Sequence, residues 1–157
     1  MNALSDSYEC VLNALFDGRL PLPALVNNHA RFAAERERRL LSISRTMLRF
    51  WPHTVRYEQA IHGQDFVVGT AAEIPRLIDL ASNMEEAVEL AALRWQTSRT
   101  ASPARDLFRF EQSLRSAHGL EVLCPSRHEL TQCSRMELQS PQVLEFGVDV
   151  LKLVQSV

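Results

Sequence analysis

Residues 23–52 read PALVNNHARFAAERERRLLSISRTMLRFWP, and their reading decides the fold class. Leu25, His29, Phe32, Arg36, Leu40, Ile43, Met47 and Phe50 recur every three or four residues. That spacing places side chains on one face of an α-helix. It predicts the longest helix of the chain over 23–50. The first half of the stripe is interrupted by His29 and Arg36, and the second half is continuously apolar. Trp51-Pro52 stops the helix, because proline disfavours the α conformation in the residue before it.

Helical spacing continues on both sides. Leu4, Tyr8, Val11, Leu12 and Leu15 mark a helix over 4–16, and Gly18 ends it. Residues 53–69 are mixed, with Gly63 and Gly69 bracketing Phe66-Val67-Val68. A second long helix is expected from Glu73, with Pro75 in its first turn and a stripe of Leu77, Ala81, Met84, Val88, Ala91 and Trp95. Ser102-Pro103 reads as an N-cap followed by proline at the first helical position. It opens a helix with Leu107, Phe110, Leu114 and Ala117 on one face, closed by Gly119.

After Gly119 the texture changes. Leu120 to Cys124 is strand-like and stops at Pro125, and Arg135 to Gln139 puts Met136 and Leu138 on one face. Phe146 to Val150 alternates with period two, and Leu151 to Val154 prolongs the apolar run. The expected fold class is α+β: a mainly helical body over 1–119 with a small antiparallel β-sheet appendage over 120–157, in one compact unit. A rival reading makes 141–156 a final helix started by Pro141.

Composition bounds the function. The chain has 157 residues, 46% apolar and 23% charged, which suits one globular domain. Its net charge of −2 supplies no global field for nucleic acid. Of the 17 basic residues only Lys152 is lysine, a bias that fits GC-rich coding as well as any use of the guanidinium fork. Cys10, Cys124 and Cys133 show no CxxC spacing, the N-terminus carries Asp6 and Glu9 early, and no apolar run reaches the roughly 18–20 residues that span a membrane. A reduced, cytoplasmic protein is expected.

The chemistry-bearing residues form no catalytic pattern. Glu58 and His62 are four apart and share a helix face, but two ligands do not make a metal site. His29 reads as a core or capping histidine. No HExxH, GxSxG, GxGxxG or Walker loop is present. Cys124 sits between Leu123 and Pro125, an apolar setting that raises a thiol pKa. The chain is not expected to be a free-standing enzyme, nor to hold a metal or cofactor.

Two features point to interactions instead. Residues 31–56 hold seven Arg against Glu35 and Glu37, while residues 73–89 hold five acidic side chains against Arg76. Helices of opposite sign face each other or the solvent, or else offer an interface to an acidic protein or to phosphates. A two- or three-stranded appendage is either a capping layer with a blunted edge or an edge that accepts a peptide strand.

The order Arg39-Leu40-Leu41-Ser42-Ile43-Ser44-Arg45, Met47-Leu48-Arg49-Phe50-Trp51-Pro52 and Ile61-His62-Gly63-Gln64-Asp65-Phe66 resembles a bacterial family that carries a DNA-binding-domain label. Leu77-Ile78-Asp79-Leu80-Ala81, continuing to Trp95, is similar to its second long helix, and Leu123-Cys124-Pro125-Ser126 to its apolar-x-Pro-Ser turn. The short span between Phe66 and Leu77 resembles the small partner subunit of the methanobactin-type oxazolone/thioamide synthases. The resemblance implies a non-catalytic, heterodimer-forming subunit. Its partner would be a TIM-barrel iron enzyme that oxidatively modifies cysteines of a ribosomally made precursor peptide. The small subunit would present the leader of that peptide on its sheet, here through Leu120, Val122, Cys124, Met136 and Leu138. Arg45, Arg49, Trp51, His53 and Phe66 would dock the enzyme, with iron in the partner and none in this chain. The alternatives are a nucleic-acid-binding regulator using Arg36, Arg38, Arg39, Arg45 and Arg49, or a helical chaperone or scaffold.

Overall fold

Asn28 decides where the longest helix starts. Its side chain accepts the Arg31 N–H at 2.9 Å, so α2 runs His29–Phe50, six residues shorter at its N-terminus than the periodicity predicts. The computed structural model describes residues 3–21, 23, 27–100, 102–118, 147 and 149–156. Before α2 lies α1, Ala3–Phe16, and after it Trp51 acts as both the end of one helix and the start of the next. Its N–H donates to the Met47 carbonyl, while Pro52 opens α3, Pro52–His62. The expected proline stop is therefore also a start.

Residues 53–69, read as mixed, are helical in two pieces. Gly63, with φ of 61°, ends α3 in a conformation that favours glycine, and α4 follows at Asp65–Glu73. Two 3-10 turns, Ile74–Arg76 and Ile78–Leu80, then occupy the stretch expected to open the second long helix. That helix, α5, starts only at Met84 and ends at Ser98. Asn83 accepts the Glu86 N–H at 2.9 Å and Glu86 returns to the Ser82 N–H, a reciprocal cap that sets the boundary. As the sequence predicts, Pro103 begins α6, Pro103–His118, with the Ser102 hydroxyl accepting the Arg105 N–H at 3.2 Å.

The last described element, α7, is Val150–Ser156 and corrects the expected fold class. Asp149 caps it, accepting the Lys152 N–H, and Val150 and Val154, one turn apart, bury against Leu107 and Leu114 of α6. Burying each valine side chain contributes about 1.5–3 kcal/mol, and the helical backbone stacks the two one turn apart on the face toward α6. Among the described residues there is no strand, so the α+β expectation with an antiparallel sheet gives way to a helical architecture. The segments around 120–124 and 135–139 lie outside the described residues.

The core forms around α4, which packs against α1, α2, α3 and α5. Phe66, Val67, Gly69, Thr70 and Ala71 are all buried, so nearly every face of this short helix meets protein. Trp51 and Phe108 stack at 4.9 Å between ring centroids, with Phe50 and Phe66 edge-on to them. Close approach of α4 and α5 depends on Gly69: a Cβ there would sit 2.5 Å from the Trp95 ring. Among the described residues no helix is long and apolar enough to cross a membrane.

Candidate functional site

The interior polar side chains tie helices together. Glu111 of α6, only 2% exposed, reaches the first turn of α3 and accepts the N–H groups of His53 and Thr54 at 3.0 and 2.9 Å. The Thr54 hydroxyl adds a third bond at 2.6 Å. These are donors that the first turn of a helix leaves unsatisfied. Burial pushes the Glu111 carboxyl up to about 7, against the pull of those three bonds and of Arg56. An acid of that pKa suits proton transfer, but burial and fully occupied oxygens make it a structural cap.

A second buried acid, Glu58 of α3, pairs with Arg99 and accepts from Gln96 at 3.3 Å. Glu58 and His62, expected on one helix face, divide between core and solvent. A third chain of polar groups runs from the Trp51 Nε1, which donates to Gln112 at 2.8 Å, through Gln112 to Glu89 at 2.8 Å. Arg115 closes it, pairing with Glu89 at 3.1 Å and lying 3.9 Å from the Phe50 ring centroid. Among the described residues no three His, Cys, Asp or Glu side chains gather as a metal site.

The residues expected to dock an enzyme do not form one surface. Trp51, His53 and Phe66 are buried in the helical core. Arg49 is half-buried, pairs with Glu85 and lies over the Phe50 ring, and Arg45 alone of the five is exposed. His29, read as core or cap, is exposed at the first helical position. Leu120, Val122, Cys124, Met136 and Leu138 lie outside the described residues.

The Arg-rich helix is largely engaged within the chain. Arg36 crosses to the Leu20 carbonyl at 2.9 Å, and Arg38 and Arg39 share Glu35. Arg39 also lies 5.3 Å from the Phe16 ring centroid. The opposite-signed helices do meet, through Arg49 and Glu85.

A concavity lies elsewhere, in a groove of about 760 Å³ between α1 and the 3-10 turns. Tyr8, Leu12, Leu20, Pro75 and Ile78 supply its apolar lining, and Glu9, Asp17, Arg76 and Asp79 its charges. Asp17 is paired with Arg19 at 2.9 Å, which holds its carboxyl below the usual range, and Arg76 is paired with Glu73 at 3.0 Å. Sequence reasoning missed this site. The local signal was Pro75, which interrupts regular helix between Glu73 and Met84 and leaves two 3-10 turns that bury Ile74 and Leu77 and leave Arg76, Asp79 and Leu80 exposed. No family model, curated protein or solved structure matches the chain.

Proposed function

We propose that this chain is a non-catalytic adaptor, a subunit that holds a peptide for a partner enzyme. One observation carries the reading. The buried acids and amides are spent on joining helices, while the groove between α1 and the 3-10 turns is a surface concavity lined by both apolar and charged side chains. Grooves of that kind take peptide segments through side-chain anchors and charge. The resemblance of the central segment adds the setting: a cytoplasmic heterodimer with a TIM-barrel iron enzyme, and a ribosomally made precursor peptide as cargo. Strand addition to a C-terminal sheet is not part of the proposal.

The test is purification of the tagged chain from its own host after nuclease treatment, with mass spectrometry and iron analysis. A stoichiometric iron-bearing partner of TIM-barrel type is expected. Recovery of the chain alone, or with nucleic acid that nuclease removes, overturns the reading.

A further inference from the structure

The charges of the α1 groove do not cancel. Asp17 pairs with Arg19, and Arg76 pairs with Glu73, which it shares with Arg94. Glu9 and Asp79 have no ion pair among the described residues, so two uncompensated carboxylates line the groove from opposite sides. Large apolar side chains stand exposed beside them: Tyr8 is 68% exposed next to Glu9, and Leu80 72% exposed next to Asp79. Isolated exposed leucines are ordinary, but a groove whose lining combines Leu12, Leu20 and Ile78 with the exposed Tyr8 offers apolar contacts between its charges.

We propose that this groove docks a cationic amphipathic peptide segment, whose Lys or Arg side chains meet Glu9 and Asp79 while its apolar side chains lie on Leu12, Leu20 and Ile78. The proposal rests on the adaptor reading and specifies the chemistry of what is held. The unpaired carboxylates repel phosphates and acidic peptides, which separates this site from a nucleic-acid surface. The volume falls within the roughly 300–1,000 Å³ of ligand sites, enough for several side chains. Two walls from separate segments suit a segment that lies along them, with apolar anchors inside and charges at the rim.

The test uses the full chain and two fluorescein-labelled 15-residue helical peptides, read by anisotropy. One carries Leu at i, i+3, i+4 and i+7 with flanking Lys, and the other has every Lys replaced by Glu. The Lys peptide is expected to bind at least tenfold tighter, with affinity falling as salt is added. Glu9→Lys with Asp79→Lys, both solvent-exposed positions, is expected to reverse that preference while circular dichroism stays unchanged. Equal binding of both peptides, unchanged binding to the variant, or no binding at millimolar protein overturns the proposal. Self-association that the same charge reversal abolishes also overturns it, by naming a second copy as the occupant. If the iron enzyme co-purifies and the Lys peptide fails, only the groove assignment falls. If the peptide binds and no enzyme is found, only the adaptor reading falls.

Discussion

Glu111 and Thr54, 57 residues apart in the chain, share two hydrogen bonds to one carboxylate oxygen, from the Thr54 N–H at 2.9 Å and its hydroxyl at 2.6 Å. The other oxygen takes the His53 N–H. A side chain of α6 thereby does for α3 what a local N-cap does for most helices, and α3 has no side-chain cap of its own from Trp51.

Glu111→Ala removes the acceptor and leaves buried donors of α3 unsatisfied, at about 1–3 kcal/mol for each group left so. A loss of about 3 kcal/mol in urea unfolding is expected. Glu111→Gln keeps one acceptor oxygen and loses less. Equal stability of Glu111→Ala and wild type would show that the first turn of α3 finds other partners.

The same carboxyl makes stability depend on pH. Its pKa is raised from 4.5 to about 7 on folding, so the native state keeps a proton that the unfolded chain releases between those values. Its contribution is complete below pH 4.5 and is lost as pH rises through 7, on the order of 3 kcal/mol. Wild type is expected to lose stability between pH 5 and 8, and Glu111→Gln to lose that slope. A slope of equal size in the variant would assign it to other groups.

Gly69→Ala sets two effects against each other. Alanine is favoured over glycine within a helix by about 1 kcal/mol, whereas overpacking costs about 1–3 kcal/mol. With the new Cβ 2.5–2.6 Å from three atoms of the Trp95 ring, overpacking wins. The melting temperature is expected to fall, and Gly69→Ala combined with Trp95→Leu to recover part of the loss.

Arg99→Ala leaves the buried Glu58 carboxylate with the Gln96 amide at 3.3 Å as its partner among the described residues. Breaking a buried pair costs about 3–5 kcal/mol, and the partial exposure of Arg99 puts the expected loss near the lower figure. Glu58→Gln in the Arg99→Ala background removes the uncompensated charge and is expected to restore stability. Failure of that rescue would trace the loss to the Arg99 guanidinium over Trp95, 5.8 Å from the ring centroid.

What the sequence determined by itself is local. The stripe ending Ile43, Met47 and Phe50, the proline stop at Trp51-Pro52 and the Ser102-Pro103 start all stand in the structure, because periodicity and capping are set by residues within one or two turns. The Asn83–Glu86 cap is equally local, and it starts α5 at Met84 rather than at Glu73. Tertiary structure decided the rest. Leu151 to Val154 is a short apolar run that suits either period, and the face of α6 made it helix by receiving Val150 and Val154 together. Trp51 and Phe66 face inward because both pack on Phe108 of α6, and His53 is buried where Glu111 of α6 caps α3. The groove exists only where residues 8–20 meet residues 72–79, and no window of sequence holds both walls. Burial and long-range pairing depend on which helices meet, and that is a property of the whole chain's packing.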